Sequence, residues 1–445
     1  MNLYSIKFID KDKRLLLGSA ASAGARITTV VAMLVTTAIA ARVMTKEEFG
    51  LWAIIMSLMF LWANFDFGFK YGMGNRLAAM VAQARGETNS DQREFFLSIL
   101  LFEIEIAFAG IIICLLIVSL LPFSSILKIR QPDLIMNINF LMLIILGLLF
   151  LNNPTTLQGS GFFAYQEVNL ACFLTAMQSI IQLLVFWIAT RFLPFNGVLI
   201  SYYFVFILLG IICTILFFKK RRWNFGWIPI NTQIRHVRSL AQRSMEFFVH
   251  SISSTIIANV STILAGTVVG LSSAGDFDLV KKIFSFFVTA HLALLSPLSP
   301  TFTQAAQLGQ WDSVARKFSF CKYRLWPLLF IAGCGLVYII HPIVLKIWSG
   351  RPLTDFVLAG LMALTAIVNG WTNTQSVLLN SLGLVKWQAV ASVIMVPIFI
   401  FLPFYMGKVW GVEGVASGTL ICMIPGTIFW PIYARYALRM RLLRV

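Results

Sequence analysis

The chain has 445 residues, 59% hydrophobic and only 12% charged, with a mean hydropathy of +0.84. A soluble domain needs about 25% charged residues to cover its surface, so this composition excludes one and places the chain in a bilayer. The formal charge of +17 suggests nucleic acid, but most basic residues lie in breaks between apolar runs, where membrane orientation and anionic lipid account for them, so nucleic-acid binding is not expected.

Runs of about 20 apolar residues predict an all-α polytopic membrane protein. A hydrocarbon core about 30 Å thick takes a helix of that length, and lipid forces the backbone to satisfy its own hydrogen bonds. About 12 spans are expected, starting near residues 15, 48, 94, 134, 168, 197, 244, 277, 325, 355, 387 and 411. In the first, Ala38-Ile39-Ala40 imitates a signal-peptidase site, but the apolar run is too long and many more follow. Basic residues gather at alternate breaks: Lys7 to Arg14, Lys70 to Arg93, Lys219 to Arg243, Arg316 to Arg324, Lys386, and Arg435 to Arg444. The positive-inside rule then makes both termini cytoplasmic. Residues 152 to 167 read as a break without a basic residue.

The basic stretch from FFKKRRWNFGW at 217 to 227 onward divides the chain into an N-terminal lobe (1–218), a cytoplasmic linker (219–243) and a C-terminal lobe (244–445). TKEEFGLW at 45 to 52 and SSAGDFDLVKK at 272 to 282 open equivalent spans. Each is followed by a polar amphipathic stretch, NRLAAMVAQARGE at 75 to 87 and FTQAAQLGQWD at 302 to 312. Six-span repeats of like orientation imply a pseudo-twofold axis along the membrane normal, with a central cavity between the lobes.

No Walker A loop, HExxH or nucleophile elbow occurs, and the outside connections are too short to carry an enzyme's catalytic groups. The six cysteines include no CxxC pair. No catalytic residue, metal or cofactor is expected, which leaves transport, with the cysteines as packing residues.

Ionisable residues at bilayer depth cost at least about 2.5–3.5 kcal/mol each, so each needs a partner or a wet cavity. Arg26 lies in span 1, Glu103 and Glu105 in span 3, and Lys281 and Lys282 in span 8. The two glutamates point about 200° apart on a helix, so one is expected to neutralise Arg26. Asp66 is expected to pair with Lys70 at i+4. His250 and His291 suit either proton relay or packing hydrogen bonds. Gln178 with Gln182, and Asn369 with Asn373, share helix faces and suit either helix pairing or sugar hydroxyls. Pro297, Pro397 and Pro425 mark breaks within spans. On this count cations outnumber carboxylates in the lumen, which favours an acidic substrate.

Several segments resemble one family. RVMTKEEFGLWAIIMSLMFLWANFDFGFKYGMGNRLAAMVAQARGE at 42 to 87 is similar to the span 1 to 3 region of the polysaccharide transporters, the Wzx-type O-antigen flippases. Phe49 stands where their Tyr-Gly-x-Trp-like start to span 2 usually has Tyr. LQGSGFFAYQEVNL at 157 to 170 resembles their linker into span 5. Residues 379 to 421, from LNSLGLVKW to GVASGTLI, resemble their spans 11 and 12. The resemblance implies a MATE-like member of the multidrug/oligosaccharidyl-lipid/polysaccharide (MOP) exporter superfamily in a bacterial cell inner membrane. Such a protein moves undecaprenyl-pyrophosphate-linked O-antigen units between leaflets by alternating access. Membrane lipids, an O-antigen polymerase and a chain-length regulator are the partners it implies. The rival readings are a cation-coupled multidrug exporter of the same superfamily, a membrane polymerase or ligase, and a scaffold within a polysaccharide assembly complex.

Overall fold

A computed structural model of the chain describes residues 3–62, 67–84, 89–295, 298–384 and 386–442, so Asp66 and Pro297 lie outside it. Every regular element among the described residues is helical. The first eight are α1 (Leu3–Val43), α2 (Lys46–Trp62), α3 (Phe69–Gln83), α4 (Ser90–Leu120), α5 (Phe123–Ile126), α6 (Pro132–Ala164), α7 (Val168–Phe192) and α8 (Phe195–Lys220). Then come α9 (Ile230–Val268), α10 (Leu271–Leu295), α11 (Leu298–Gln307) and α12 (Trp311–Phe320). α12 continues through two π-helical segments, Cys321–Leu325 and Pro327–Gly333, into α13 (Cys334–Ser349). α14 (Phe356–Ser381) and α15 (Lys386–Leu442) complete the chain.

Local chemistry sets the helix starts. At α2, the Thr45 hydroxyl accepts from the Glu48 N–H at 3.2 Å while the Glu48 carboxylate accepts from the Thr45 N–H at 2.8 Å. This reciprocal box, written in TKEE, satisfies two orphan donors. Asn89 and Gln92 build the same box at α4. Asp355 caps α14 through the Leu358 N–H.

Nine helical runs among the described residues are long and apolar enough to cross a membrane. The expected twelve differ from these at three places. α2 has only 17 residues. α10 carries Asp276, Asp278, Lys281 and Lys282 in its first half. α15 joins two helices across a kink, with non-helical backbone at Trp410 and Gly411 at φ 63°, so the expected start near 411 falls at a real break within one continuous apolar run. Glycine adopts that left-handed angle without the Cβ penalty.

Three expected boundaries also move. α6 runs unbroken through 152–164, which the sequence suggested was a loop, because its polar residues are buried rather than solvated. Asn152, Asn153, Thr155 and Gln158 are all buried, and the Thr155 and Thr156 hydroxyls bond back to the Asn152 and Asn153 carbonyls. Helix α9 begins at Ile230 inside the expected linker, leaving only 221–229 non-helical. The run expected to start near residue 325 is helical from Trp311.

The chain forms two compact units. The first comprises 1–43, 59–126 and 130–252, and the second 44–58, 127–129 and 253–445. In the first, α6 packs against α3, α4 and α8, and α7 packs against α1 and α8. Its core includes Phe96, Phe162, Phe217 and Trp223, all buried. Arg221, just past α8, inserts into this aromatic cluster. Its guanidinium lies 3.8 Å from the Phe217 ring centroid and 3.9 Å from that of Tyr165, and bonds the Glu167 carboxylate at 3.1 Å. Burial lowers the Arg221 pKa and the carboxylate opposes that shift, while burial raises the Tyr165 phenol to about 12. The start of the stretch expected to be a linker is thereby fastened within the first unit, which includes all of 219–243.

In the second unit α14 packs against α10, α11, α13 and α15. The two similar sequence elements open α2 and α10, and the amphipathic stretches after them begin on α3 and α11. Outward faces stay apolar, as in Phe108, Ile112, Leu116 and Leu120 on α4, or Ile339, Ile343 and Ile347 on α13. A four-residue spacing makes each a continuous stripe, suited to acyl chains. All six cysteines are buried and free.

Helices in lipid approach closely through small residues, and α2 meets the start of α10 this way. A Cβ built on Gly50 would stand 1.7 Å from the Leu271 carbonyl oxygen, a backbone atom that cannot step aside. Gly50→Ala is expected to cost about 1–3 kcal/mol as an overpacking change, while Gly24→Ala, with nothing within 4 Å, stays within about 0.5 kcal/mol. Thermal unfolding of the two purified variants in one detergent checks the contrast.

Candidate functional site

In the first unit, Arg26 sits near the middle of α1 with its side chain exposed, and no ion pair or hydrogen bond holds it among the described residues. The expected glutamate partner is not there. α1 packs against α7, whereas Glu103 and Glu105 belong to α4, which packs against α3 and α6. Glu103 is fully buried. Glu105 is exposed and accepts a 2.9 Å hydrogen bond from the Gln233 amide of α9. A second contact across this region joins the Ser98 hydroxyl and His236 Nδ1 at 2.9 Å.

Gln178 and Gln182 share a face of α7 as their spacing requires, but that face meets α8. Gln178 donates to the Phe206 carbonyl at 3.1 Å and Gln182 to the Tyr202 carbonyl at 3.4 Å. Both amides therefore tie two helices together, each contact worth about 0.6–2 kcal/mol in a membrane. Lys70, assigned from sequence to Asp66, reaches the Asn153 side-chain oxygen at 3.5 Å. The polar segment of α6 thus receives a cation that spacing along one helix could not reveal.

In the second unit the charges of α10 group differently from the sequence reading. Lys282 pairs with Asp278 at 2.6 Å, one turn earlier, both side chains nearly buried. Lys281 donates to the Ala258 carbonyl at 2.8 Å and lies 3.3 Å from the Ser261 and Thr262 hydroxyls, all on α9. Three acceptors match the three protons of an ammonium. The cation count behind an acidic substrate left out Asp276 and Asp278, which open the same helix. With them included, the opening of α10 is formally neutral.

Asn369 and Asn373 on α14 bond each other, Nδ2 to Oδ1 at 2.9 Å, and both remain half-buried. Their neighbour Trp371 meets Trp326 at 4.9 Å between ring centroids. His291 is fully buried, 5.1 Å from the Phe330 ring centroid in an edge contact, with Thr374 Oγ1 at 3.4 Å. His250 lies on α9, and its side chain is outside the described set. No group of three or more His, Cys, Asp or Glu among the described residues is placed to hold a metal.

The sequence reading missed Asp278 as the neutraliser of Lys282, although the i,i+4 spacing was present to be read. It also missed Arg351, whose guanidinium holds the Met44 and Thr45 carbonyls at 3.0 and 3.3 Å and lies 4.7 Å from the Phe49 ring centroid. That role joins positions over three hundred residues apart and has no local signal. Removing one partner of a buried ion pair costs about 3–5 kcal/mol, while removing both costs far less. Asp278→Asn is accordingly expected to destabilise strongly, and adding Lys282→Gln to restore most of the loss, in denaturant or thermal unfolding of the purified protein.

Solved structures with the same architecture are transporters. One is an inward-facing multidrug resistance MATE family transporter of the MOP superfamily, with a TM-score of 0.74 and 11% identity over 94% of this chain and 99% of that one. A MOP superfamily transporter from Pyrococcus furiosus, described as having a binding pocket of reversed polarity, aligns over 96% of both chains with a TM-score of 0.65 and 11% identity. A Vibrio cholerae MATE transporter gives 0.62 and 14% over 96% of this chain and 97% of that one. No curated protein matches the chain. The family model for polysaccharide biosynthesis proteins matches residues 15–306. With a MOP-type transporter fold and well over half its length matched, the chain belongs to the polysaccharide biosynthesis protein family.

Proposed function

We propose that this protein is a flippase that moves an undecaprenyl-pyrophosphate-linked O-antigen oligosaccharide from the cytoplasmic to the periplasmic leaflet of a bacterial inner membrane. The observation that carries the reading is the coincidence of the polysaccharide biosynthesis family match with a transporter fold over nearly the whole chain. Both termini are cytoplasmic, and transfer proceeds by alternating access. The glycan and pyrophosphate are carried through the protein while the polyprenyl tail stays in lipid. No covalent step is involved, and an O-antigen polymerase and a chain-length regulator act downstream.

Within this reading Arg26 is the anion-attracting residue of the first unit, because it is exposed and no carboxylate neutralises it among the described residues. A guanidinium meets a phosphate with two parallel hydrogen bonds. Lys281 and Lys282 serve instead to hold α10 in place, and Glu103 and Glu105 remain candidates for a proton-linked step. Gln178, Gln182, Asn369, Asn373 and His291 are assigned to scaffolding of the path. The multidrug reading draws on the MATE neighbours, and the description of one MOP transporter as reversed in pocket polarity illustrates that this fold is not tied to a single cargo charge.

Arg26→Gln is expected to reduce surface O-antigen at least tenfold in cells lacking the native copy, with Arg26→Lys intermediate and normal membrane insertion in both. Resistance to cationic drugs should not change. Unaltered glycan with lost drug resistance would assign the chain to the rival.

A further inference from the structure

The second unit holds a further cluster of cations, beside Trp371. Lys322 sits in the π-helical segment Cys321–Leu325 with only 4% of its surface exposed. Its ammonium lies 5.0 Å from the ring centroids of both Trp371 and Tyr323. Tyr323 is exposed, and Arg435, also exposed, follows Ala434 on the part of α15 that packs against α12. Neither cation has a carboxylate partner among the described residues. α12 packs on the same end of α15, where Val314 and Phe318 share a buried cluster with Ala434 and Leu438.

Energetics make this arrangement incomplete without an anion. A cation–π contact is weaker than a charge-assisted hydrogen bond to an anion, and a phenol satisfies at most part of an ammonium with three donors. On the sequence reading, Lys322 and Arg435 both fall in cytoplasmic basic breaks, where anionic headgroups lie. A lysine near a helix end ordinarily extends its flexible stem toward the headgroups, yet this one is folded in against an indole. The π-helical backbone adds an independent sign. Pro327, two residues after Leu325, lacks the N–H needed for an α-helical ladder, and wide turns of this kind concentrate at functional sites.

We propose that Lys322, Tyr323 and Arg435 form a site for the phosphate of a membrane-lipid headgroup, with Trp371 as its apolar wall. A point charge, a planar fork and a hydroxyl donor together satisfy the several oxygens of a phosphate. Two lipids share that chemistry, a bulk anionic phospholipid and the polyprenyl-pyrophosphate carrier. Only the second rests on the flippase reading.

Native mass spectrometry of the full-length protein in micelles tests this, with phosphatidylglycerol, undecaprenyl pyrophosphate and phosphatidylcholine titrated separately. Lys322→Gln and Arg435→Gln are each expected to weaken at least one of the two anionic ligands tenfold or more relative to phosphatidylcholine, with Lys322→Arg close to wild type. Lys317→Gln, an exposed cation on α12, should change binding less than twofold. Loss confined to undecaprenyl pyrophosphate identifies the carrier as occupant. Loss confined to phosphatidylglycerol identifies bulk lipid, and that result stands whether or not the protein flips a glycan. Loss of both supports the site as one for their common phosphate. Unchanged affinity for both, or an effect of Lys317→Gln as large as that of Lys322→Gln, overturns the proposal. If Lys322→Gln does not fold, Arg435→Gln and Tyr323→Phe, at exposed positions, give the same readout.

Discussion

A charge at membrane depth must be paired, hydrogen-bonded or wet, and this requirement arranges the polar chemistry of the whole chain. Lys282 takes Asp278 as its partner within one helical turn. Lys281 takes a carbonyl and two hydroxyls from α9, Glu105 takes the Gln233 amide, and Arg221 takes Glu167 inside a shell of aromatic rings. The last three of these tie separate segments together, whereas the Lys282–Asp278 pair closes within α10. Arg26 is exposed on α1 and Lys322 is buried against Trp371, and neither has a carboxylate partner among the described residues.

The helical class and the order of the helices were legible because a bilayer imposes length and apolarity on each segment independently of its neighbours. Boundaries were legible only where the polar residues face water. At 152–164, Asn152, Asn153, Thr155 and Gln158 turn inward, so a polar stretch that reads as a loop is the buried end of α6. The basic stretch after Arg222 reads as linker, yet from Ile230 it is the first part of a 39-residue helix.

The site was less legible than the fold, for a related reason. Spacing along a helix states which residues share a face, but not which helix that face meets. Gln178 and Gln182 do lie together, and the face they share is turned to α8. Glu103 and Glu105 diverge as helical geometry demands, yet the helix beside them is not the one that bears Arg26. Asp278 was the avoidable omission, since its partner lies four residues away. Arg351 was not avoidable, since its acceptors are Met44 and Thr45.

Family membership and transporter architecture direct attention to a lipid-borne glycan, and the most direct measurement is leaflet transfer itself. Purified protein in proteoliposomes, given a fluorescent undecaprenyl-pyrophosphate-linked oligosaccharide in one leaflet, should deliver it to the other faster than protein-free vesicles. An organic cation enclosed in the same vesicles should not move. Glycan that stays in its original leaflet while the cation crosses would contradict the account.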